Sequence, residues 1–472
     1  MRDRIAGVAI FVALLAAVPA VAQTPPPGPA SSNPLFGGVP NAERTNQVIA
    51  LTLAETIQRG LDHNLAALLG EQQVQQADGA RWQALSGVLP NVSGNLSAAR
   101  EKINLAAFGF TGPGIPTLVG PFDVYDARIR LSQPLLDLSA INEAKAGKSL
   151  LTAQQATYAD TRSLVVAAVT NLYLVSVADQ SRVEAAEAAE RTADTTYKLA
   201  ADQNAAGVVP KLDALRADVE LRGARQRTIV ARNDLAKSKL ALARAIGMPL
   251  GQAISLADTV PFSPAPSIDV DLLAKSAYEK RDDAKAAEAR VAAAEATARA
   301  ASFERLPSVT FDADYGAIGN TTQSMLGTFT VAASVHVPIF NAGKTRARTL
   351  ETSAELTSRR AEAADLRARI YYDVQTASLD LTAASDQVAV ARDAVTVAGQ
   401  ALEQSEDRFK SGVANNLEVV QAQQALEASR ENYIAALYSH NVAKVALARA
   451  LGAGEHEFIQ LLEGTLPWPT SH

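Results

Sequence analysis

The chain carries one long pattern twice, and this duplication restricts its fold more than any other feature. "QPLLDLSAINEAKAG" at Gln133–Gly147 returns as "VPIFNAGKTRARTLE" at Val337–Glu351. "NAAGVVPKLDAL" at Asn204–Leu215 returns as "FKSGVANNLEVV" at Phe409–Val420, and "LARAIG" at Leu242–Gly247 as "LARALG" at Leu447–Gly452. Pro134 to Pro338 is a shift of 204, while Gly207 to Gly412 and Gly247 to Gly452 are both shifts of 205. Composition alone does not hold an offset across most of a repeat. The unit also far exceeds the ~20–50 residues of a solenoid repeat, so a duplicated half-protein is the better reading. The first copy spans about 51–250, the second about 251–452, and a tail covers 453–472.

Residues 1–22 read as a secretory signal. Arg2 and Arg4 are basic, Ile5 to Val18 form an apolar core, and Ala20-Val21-Ala22 is a small-residue cleavage site. The apolar core is shorter than the ~20 residues of a spanning helix, and no other segment is expected to span a bilayer as a helix. A β-barrel is still open, because its strands give weak hydropathy signals. Residues 23–50, rich in Pro, Gly and Ser up to about Pro40, are expected to form an extended or disordered linker. There is no cysteine, hence no disulfide, no thiolate chemistry and no Cys-borne lipid anchor. The net charge of −6 becomes −7 without the +1 of the signal region, which gives nucleic acid no basic surface. Apolar residues make up 48% of the chain but aromatics only 5%, so alanine stands where bulk would be. Closely packed helices suit that composition.

Proline-free stretches predict helices over about Leu51–Gly87, Ser139–Ala206 and Lys211–Ile246, and again over Asp271–Arg305, Gly343–Lys410 and Asn416–Leu451. A helix of about 67 residues is ~100 Å long at 1.5 Å per residue, and one of about 36 residues roughly half that. Two short helices end to end therefore match one long helix, as in a wall of paired rods. Between the helices lie four segments of period two, about 90–100, 122–133, 307–315 and 328–338. Tyr125, Ala127, Ile129 and Leu131 alternate with Asp126, Arg128, Arg130 and Ser132, and Val309, Phe311, Ala313 and Tyr315 with Ser308, Thr310, Asp312 and Asp314. One apolar face and one strongly polar face is the pattern of a membrane barrel with a wet lumen, although a soluble hairpin on the helices shares the period. His336 is expected to face that lumen with Ser334. Four strands cannot close a barrel, for which the smallest known number is about 8, and open edges in lipid cost several kcal/mol per backbone group. The chain should span only as an oligomer sharing one barrel. Pro90 and Pro134 lie further apart than Pro307 and Pro338, and the extra length is expected in the first hairpin loop, "FGFTGPGIPTLVGP".

In its duplicated helix–hairpin–helix unit the chain resembles the TolC-like outer-membrane efflux protein family over about residues 50–452. "LPNV" and "LPSV" lead into the first strand of each hairpin, "QPLLD" and "VPIFNAG" leave the second, and the turns at Gly207–Asp213 and Gly412–Glu418 complete the set. The resemblance implies a mainly α protein with transmembrane β: a homotrimer whose 12-stranded β-barrel in outer-membrane lipid joins a long α-helical barrel in the periplasm. It further implies the exit duct of a tripartite efflux pump, partnered by a periplasmic adaptor and an inner-membrane transporter, or alternatively the outer component of type I protein secretion. Gly207, Val208 and Val209, with Gly412, Val413 and Ala414, occupy the tips that such proteins present to the adaptor. Glycine there also suits a helix C-terminus needing φ > 0. Glu418, and Asp213 in the first copy, occupy the position of an acidic residue that narrows the tunnel entrance in relatives. Three residues on, where a second acid would stand, this chain has Gln421 and, in the first copy, Arg216. Acids in a first helical turn also stabilise the helix by ~0.3–1 kcal/mol, and the two roles can coexist.

No enzyme site emerges from the sequence. "PIFNAGKT" at Pro338–Thr345 ends like a phosphate loop but has proline where that motif needs its first glycine. The histidines at 63, 336, 440, 456 and 472 have no metal-ligand spacing, and there is no G-x-S-x-G elbow. No cofactor is expected. A structural periplasmic coiled coil, with Leu212, Leu215 and Val219 at near-heptad spacing, is the competing class of protein; it leaves the two hairpins unexplained.

Overall fold

The computed structural model describes residues 33–454 except 42, 259–261 and 263–268, together with 457, 458 and 460. The expected signal region and most of the 453–472 tail lie outside the described residues. From Pro34 onward the chain forms one unit.

Each copy begins with a short strand and two helices, then a hairpin, then a long helix folded back on a shorter one. In the first copy these are β1 (Ile49–Leu51), α1 (Leu53–His63), α2 (Leu65–Ser86), β2 (Asn91–Asn104), β3 (Leu118–Leu136), α3 (Leu138–Ala205) and α4 (Lys211–Ala245). In the second they are β4 (Ile254–Leu256), α5 (Val270–Lys280), α6 (Asp282–Phe303), β5 (Ser308–Gly319), β6 (Leu326–His336), α7 (Lys344–Lys410) and α8 (Asn416–Ala450). With 68 and 67 residues, α3 and α7 are each ~100 Å long. Ion pairs show how the shorter helices share them. Arg348 and Arg360 tie the first half of α7 to Glu304 and Glu295 of the α6 segment, and Arg408 ties its end to Glu418 of α8. On α3, Gln154 meets Gln73 of α2, while Glu187 further along meets Arg232 of α4.

The continuous helices expected over 51–87 and 271–305 are each broken in two. Asn64 and Arg281 hold extended backbone (ψ 136° and 128°) and cap the second helix of each pair. Asn64 is fully buried; its amide donates to the carbonyls of Leu35 and Ala245 at 2.8 and 3.0 Å, and its oxygen accepts from the Ala66 N–H at 2.9 Å. Arg281, 5% exposed, is held by Asp283 at 2.7 Å and Asp373 at 3.0 Å. Burial of these polar groups is offset by the hydrogen bonds each makes: three involving the Asn64 side chain and three from the Arg281 guanidinium. The turns that end α4 and α8 close onto these breaks. A Cβ on Gly247 would meet His63 at 2.5 Å, and one on Gly452 would meet Arg281 at 3.0 Å.

Two further features depart from the sequence reading. The described residues between Pro34 and Leu51 are tied to the body at several points: Val39 N–H donates to His63 and Leu65 N–H to Gly37, both at 2.9 Å, and β1 pairs in parallel with β4. Asp258, just after β4, accepts from the Leu53 N–H at 2.7 Å and from the Tyr173 hydroxyl at 2.9 Å, fixing the start of α1 to the middle of α3. Secondly, α3 contains a window of 18 residues with mean hydropathy 1.4, apolar enough to cross a membrane by composition. Its Val165, Val166, Val169, Tyr173 and Val177 are instead at the centre of the main core, with Leu242, Ile246, Ile370, Leu381 and Leu447.

The candidate channel elements

Strands β2, β3, β5 and β6 form one antiparallel sheet in that order, leaving β2 and β6 as its edges. The registers set the composition of both faces. Asn95 pairs with Arg128, Arg128 with Gly316 and Gly316 with Thr328, while one residue along Leu96 pairs with Ala127, Ala127 with Ala317 and Ala317 with Gly327. Followed along the sheet, one face carries Asn91, Ser93, Asn95, Ser97, Asp126, Arg128, Arg130, Ser132, Thr310, Asp312, Asp314, Thr328, Thr330, Ser334 and His336. The other carries Val92, Leu96, Tyr125, Ile129, Leu131, Val309, Phe311, Ala313, Tyr315, Phe329, Val331 and Val335; toward the hairpin loops the division ends, with Val124, Ile318 and Leu326 on the polar face and the Arg100–Asp123 pair on the apolar one. On the polar face Arg128 is held by Asp126 and Asp314, with Thr328 accepting at 3.3 Å, and the Ser132 hydroxyl donates to Asp312 at 2.7 Å. The apolar face has no cover: Leu96 is 84% and Phe329 74% exposed. In water so continuous an apolar surface would be unfavourable at about 25 cal/mol per Å², whereas lipid removes that cost. The four strands have 14, 19, 12 and 11 residues, against the ~9–11 that cross a bilayer. The extra length of the first hairpin thus goes partly into longer strands rather than into its loop alone.

At the far ends of the long helices, the turns at Gly207 and Gly412 have the same geometry. Both glycines are left-handed, with φ of 74° and 72°. Gly207 N–H donates to Asn204 and Val208 N–H to Gln203, while Gly412 N–H donates to Phe409 and Val413 N–H to Arg408, the double closure of a Schellman turn. A side chain at either glycine would strain the turn. The next residues, Val208 and Val413, are 65% and 70% exposed, Val209 and Ala414 half-buried.

The acidic residues expected at the entrance do not sit alike. Asp213 is buried, 3.5 Å from Arg216, and its carbonyl accepts from Asn416 of α8 at 3.1 Å. Glu418 and Gln421 are exposed, and Glu418 pairs with Arg408 at 3.3 Å. Both acids do occupy the first turn of their helices. Sequence reading missed the polar links that join the α3–α4 hairpin to α8 along its first half. Arg182 contacts Asp179 and Glu431 at 2.9 Å each, and Arg227 contacts Glu220 and Glu427 at 2.8 Å each. Gln423 donates to Thr196 at 2.8 Å and Gln424 to Glu220 at 2.9 Å. Burial pushes the Glu427 carboxyl up, against the pull of the Arg227 guanidinium. The links to α8 leave no local signal, because those partners lie 200–249 positions apart.

A four-stranded sheet with one wet and one greasy face, continued by two helical hairpins, defines a channel-forming protein of the outer membrane with its helical part in the periplasm. The chain belongs to the outer membrane efflux protein family, whose sequence profile matches residues 56–248 and 273–453. It is 26% identical over 407 residues to the probable efflux pump outer membrane protein TtgC of Pseudomonas putida, covering 84% of this chain and 79% of that one. It is 25% identical over 409 residues to the pyoverdine export outer membrane protein OpmQ of the same species, covering 84% of each. Among solved structures, the outer membrane protein VceC of Vibrio cholerae superposes with a TM-score of 0.74 at 19% identity, covering 85% of this chain and 96% of that one.

Proposed function

We propose that three copies of this chain form the exit duct of a tripartite efflux pump, one 12-stranded barrel in the outer membrane leading into a periplasmic helical tunnel. The observation that carries this reading is the open wall. The sheet ends at β2 and β6, and the helices flanking those same margins, α2 and α4 on one side and α7 on the other, carry exposed Trp82, Leu212, Leu215 and Val219 opposite Leu350, Tyr372, Val390 and Val397. Both margins become satisfied only when copies join edge to edge, since unpaired strand edges do not persist in lipid. A lone periplasmic coiled coil has no use for an uncovered apolar sheet.

The duct conducts and does not drive transport; the energy comes from a transporter in the inner membrane, reached through a periplasmic adaptor. The exposed tips at Gly207–Val209 and Gly412–Ala414 present the surface for that adaptor. Glu418 and Gln421 line the entrance, whereas Asp213 acts from within the wall by holding Asn416. Relatives named for efflux and for pyoverdine export support small molecules as cargo in preference to secreted proteins. The test has two parts. The purified protein is expected to run as a heat-dissociable trimer from outer-membrane fractions and to open channels in planar bilayers; deletion is expected to sensitise the cell to dyes and antibiotics. A monomer without conductance refutes the duct, and loss of a secreted protein without sensitisation redirects it to type I secretion.

A further inference from the structure

We infer that the internal duplication fixes the residue-by-residue register of the seam between copies: His336 lies opposite Asn95, Val335 opposite Leu96 and Ser334 opposite Ser97 of the next copy. This rests on the oligomeric reading above and adds what that reading leaves open, namely which atoms meet. The leading motifs "LPNV" and "LPSV" align Asn91 with Ser308, and the exit motifs align Pro134 with Pro338, hence Ser132 with His336. The structure tests that alignment within each hairpin. Asn91 pairs with Ser132 and Ser308 with His336; Ser97 pairs with Asp126 and Asp314 with Thr330. Each pair in one hairpin is the counterpart of a pair in the other, so the two hairpins share one register.

The junction between hairpins, β3 against β5, then serves as the template for the junction between copies, β6 against β2. Ser132 faces Asp312, Leu131 faces Ala313 and Arg130 faces Asp314. Replacing each residue by its counterpart gives the three seam pairs. Face parity agrees: Val335 and Leu96 both belong to the apolar face, and Ser334, Ser97, His336 and Asn95 to the polar one. A slip of one residue would drive the apolar set into the lumen. A slip of two keeps the faces, and there the template decides. The template also accounts for the chain beyond β6. On β3, flanked by strands on both sides, the segment through Leu135 and Leu136 remains in the strand. Its counterpart on the open edge leaves the strand after His336, with Ile339 and Phe340 94% and 89% exposed. A neighbouring β2 supplies the missing partner.

The absence of native cysteine makes the register directly readable. Antiparallel neighbours have Cα atoms about 4.5–5.5 Å apart, within disulfide reach, whereas a register error of four residues displaces them by ~13 Å. The full-length protein in outer-membrane fractions would carry Ser97→Cys with Ser334→Cys, or Leu96→Cys with Val335→Cys, so that one pair of each spacing is sampled. Asn95→Cys, Ala99→Cys and Ser93→Cys, each combined with Ser334→Cys, report slips of two and four. After mild oxidation and heat dissociation, at least one matched pair is expected to yield reducible dimers and trimers at roughly tenfold the level of every displaced pair. Strongest linkage in a displaced pair overturns the register while leaving the oligomer standing. Heat-dissociable trimers without inter-chain linkage in either matched pair overturn it equally. Absence of trimers in the cysteine-free parent overturns the oligomer and the register together.

Discussion

Arg281 shows how one residue can hold a junction the sequence pattern does not announce. Arg281 stands at the N-cap position of α6, is 5% exposed, and its guanidinium joins Asp283 to Asp373 of α7. Removing it leaves the partly exposed carboxylates of Asp283 and Asp373 without their charge-assisted hydrogen bonds, at about 1–3 kcal/mol. Arg281→Ala is therefore expected to lower the unfolding free energy by about that amount in detergent, measured by denaturant titration; a loss below 1 kcal/mol would remove the junction from the stability of the fold. Lys444, 1% exposed on α8, gives a pH-dependent counterpart. Burial pushes its ammonium down to about 8 from an ordinary 10.5. Between those values the unfolded chain holds the proton and the folded chain does not, so stability rises with pH across that window, and the burial cost is greatest below pH 8. Lys444→Met should flatten the rise; an unchanged slope between pH 8 and 10 would assign it to other groups. At the proposed entrance, Glu418 is exposed and pairs with Arg408, a pairing worth ~0–1 kcal/mol. Glu418→Ala should leave the fold intact while raising single-channel conductance or relieving block by divalent cations, and identical conductance and block would take the residue out of the gate.

At the level of elements, the tips and the strands were legible because each follows a local rule. Period two announced the four strands, a duplicated glycine announced both turns, and proline-free runs announced α3 and α7. What was hidden depends on distant neighbours. Strands β1 and β4 have three residues each and exist only by pairing with one another across two repeats. The breaks at Asn64 and Arg281 lie inside good helical sequence, and tertiary hydrogen bonds override the propensity there. Asp213 and Glu418 are equivalent by sequence, yet the first is buried because α8 packs beside α4, whereas the second faces away. The tips, in contrast, are alike in the two copies. Val208 and Val413 are exposed apolar residues on rigid Schellman turns, so a charge there should cost the fold little. Val208→Asp with Val413→Asp is expected to preserve trimers and bilayer conductance but abolish adaptor cross-linking and efflux. Efflux at the parental level would move the docking surface elsewhere.

The whole molecule turns on which solvent each sheet face meets, and adjacent residues on β6 can decide it. Val331 and Thr330 differ by one position, so their side chains point to opposite faces. Val331 lies with Ala313 and Leu131 on the apolar side; Thr330 lies with Asp314 and Arg130 on the polar side. Lysine at the lipid-facing position costs about 2–4 kcal/mol near the bilayer midplane, and a ring of three copies incurs it three times. Val331→Lys should therefore sharply reduce the yield of trimer in the outer membrane or its dissociation temperature. Thr330→Lys places the same ammonium in water, near the carboxylates of Asp312 and Asp314, where assembly should proceed normally. Its effect should appear instead in the pore, as a reversal potential shifted toward anions. The pairing matters more than either variant alone. A soluble hairpin packed on helices would leave both positions in water and tolerate both lysines, while a sheet buried on both faces would reject both. Only a wall with lipid on one side and an aqueous lumen on the other separates them.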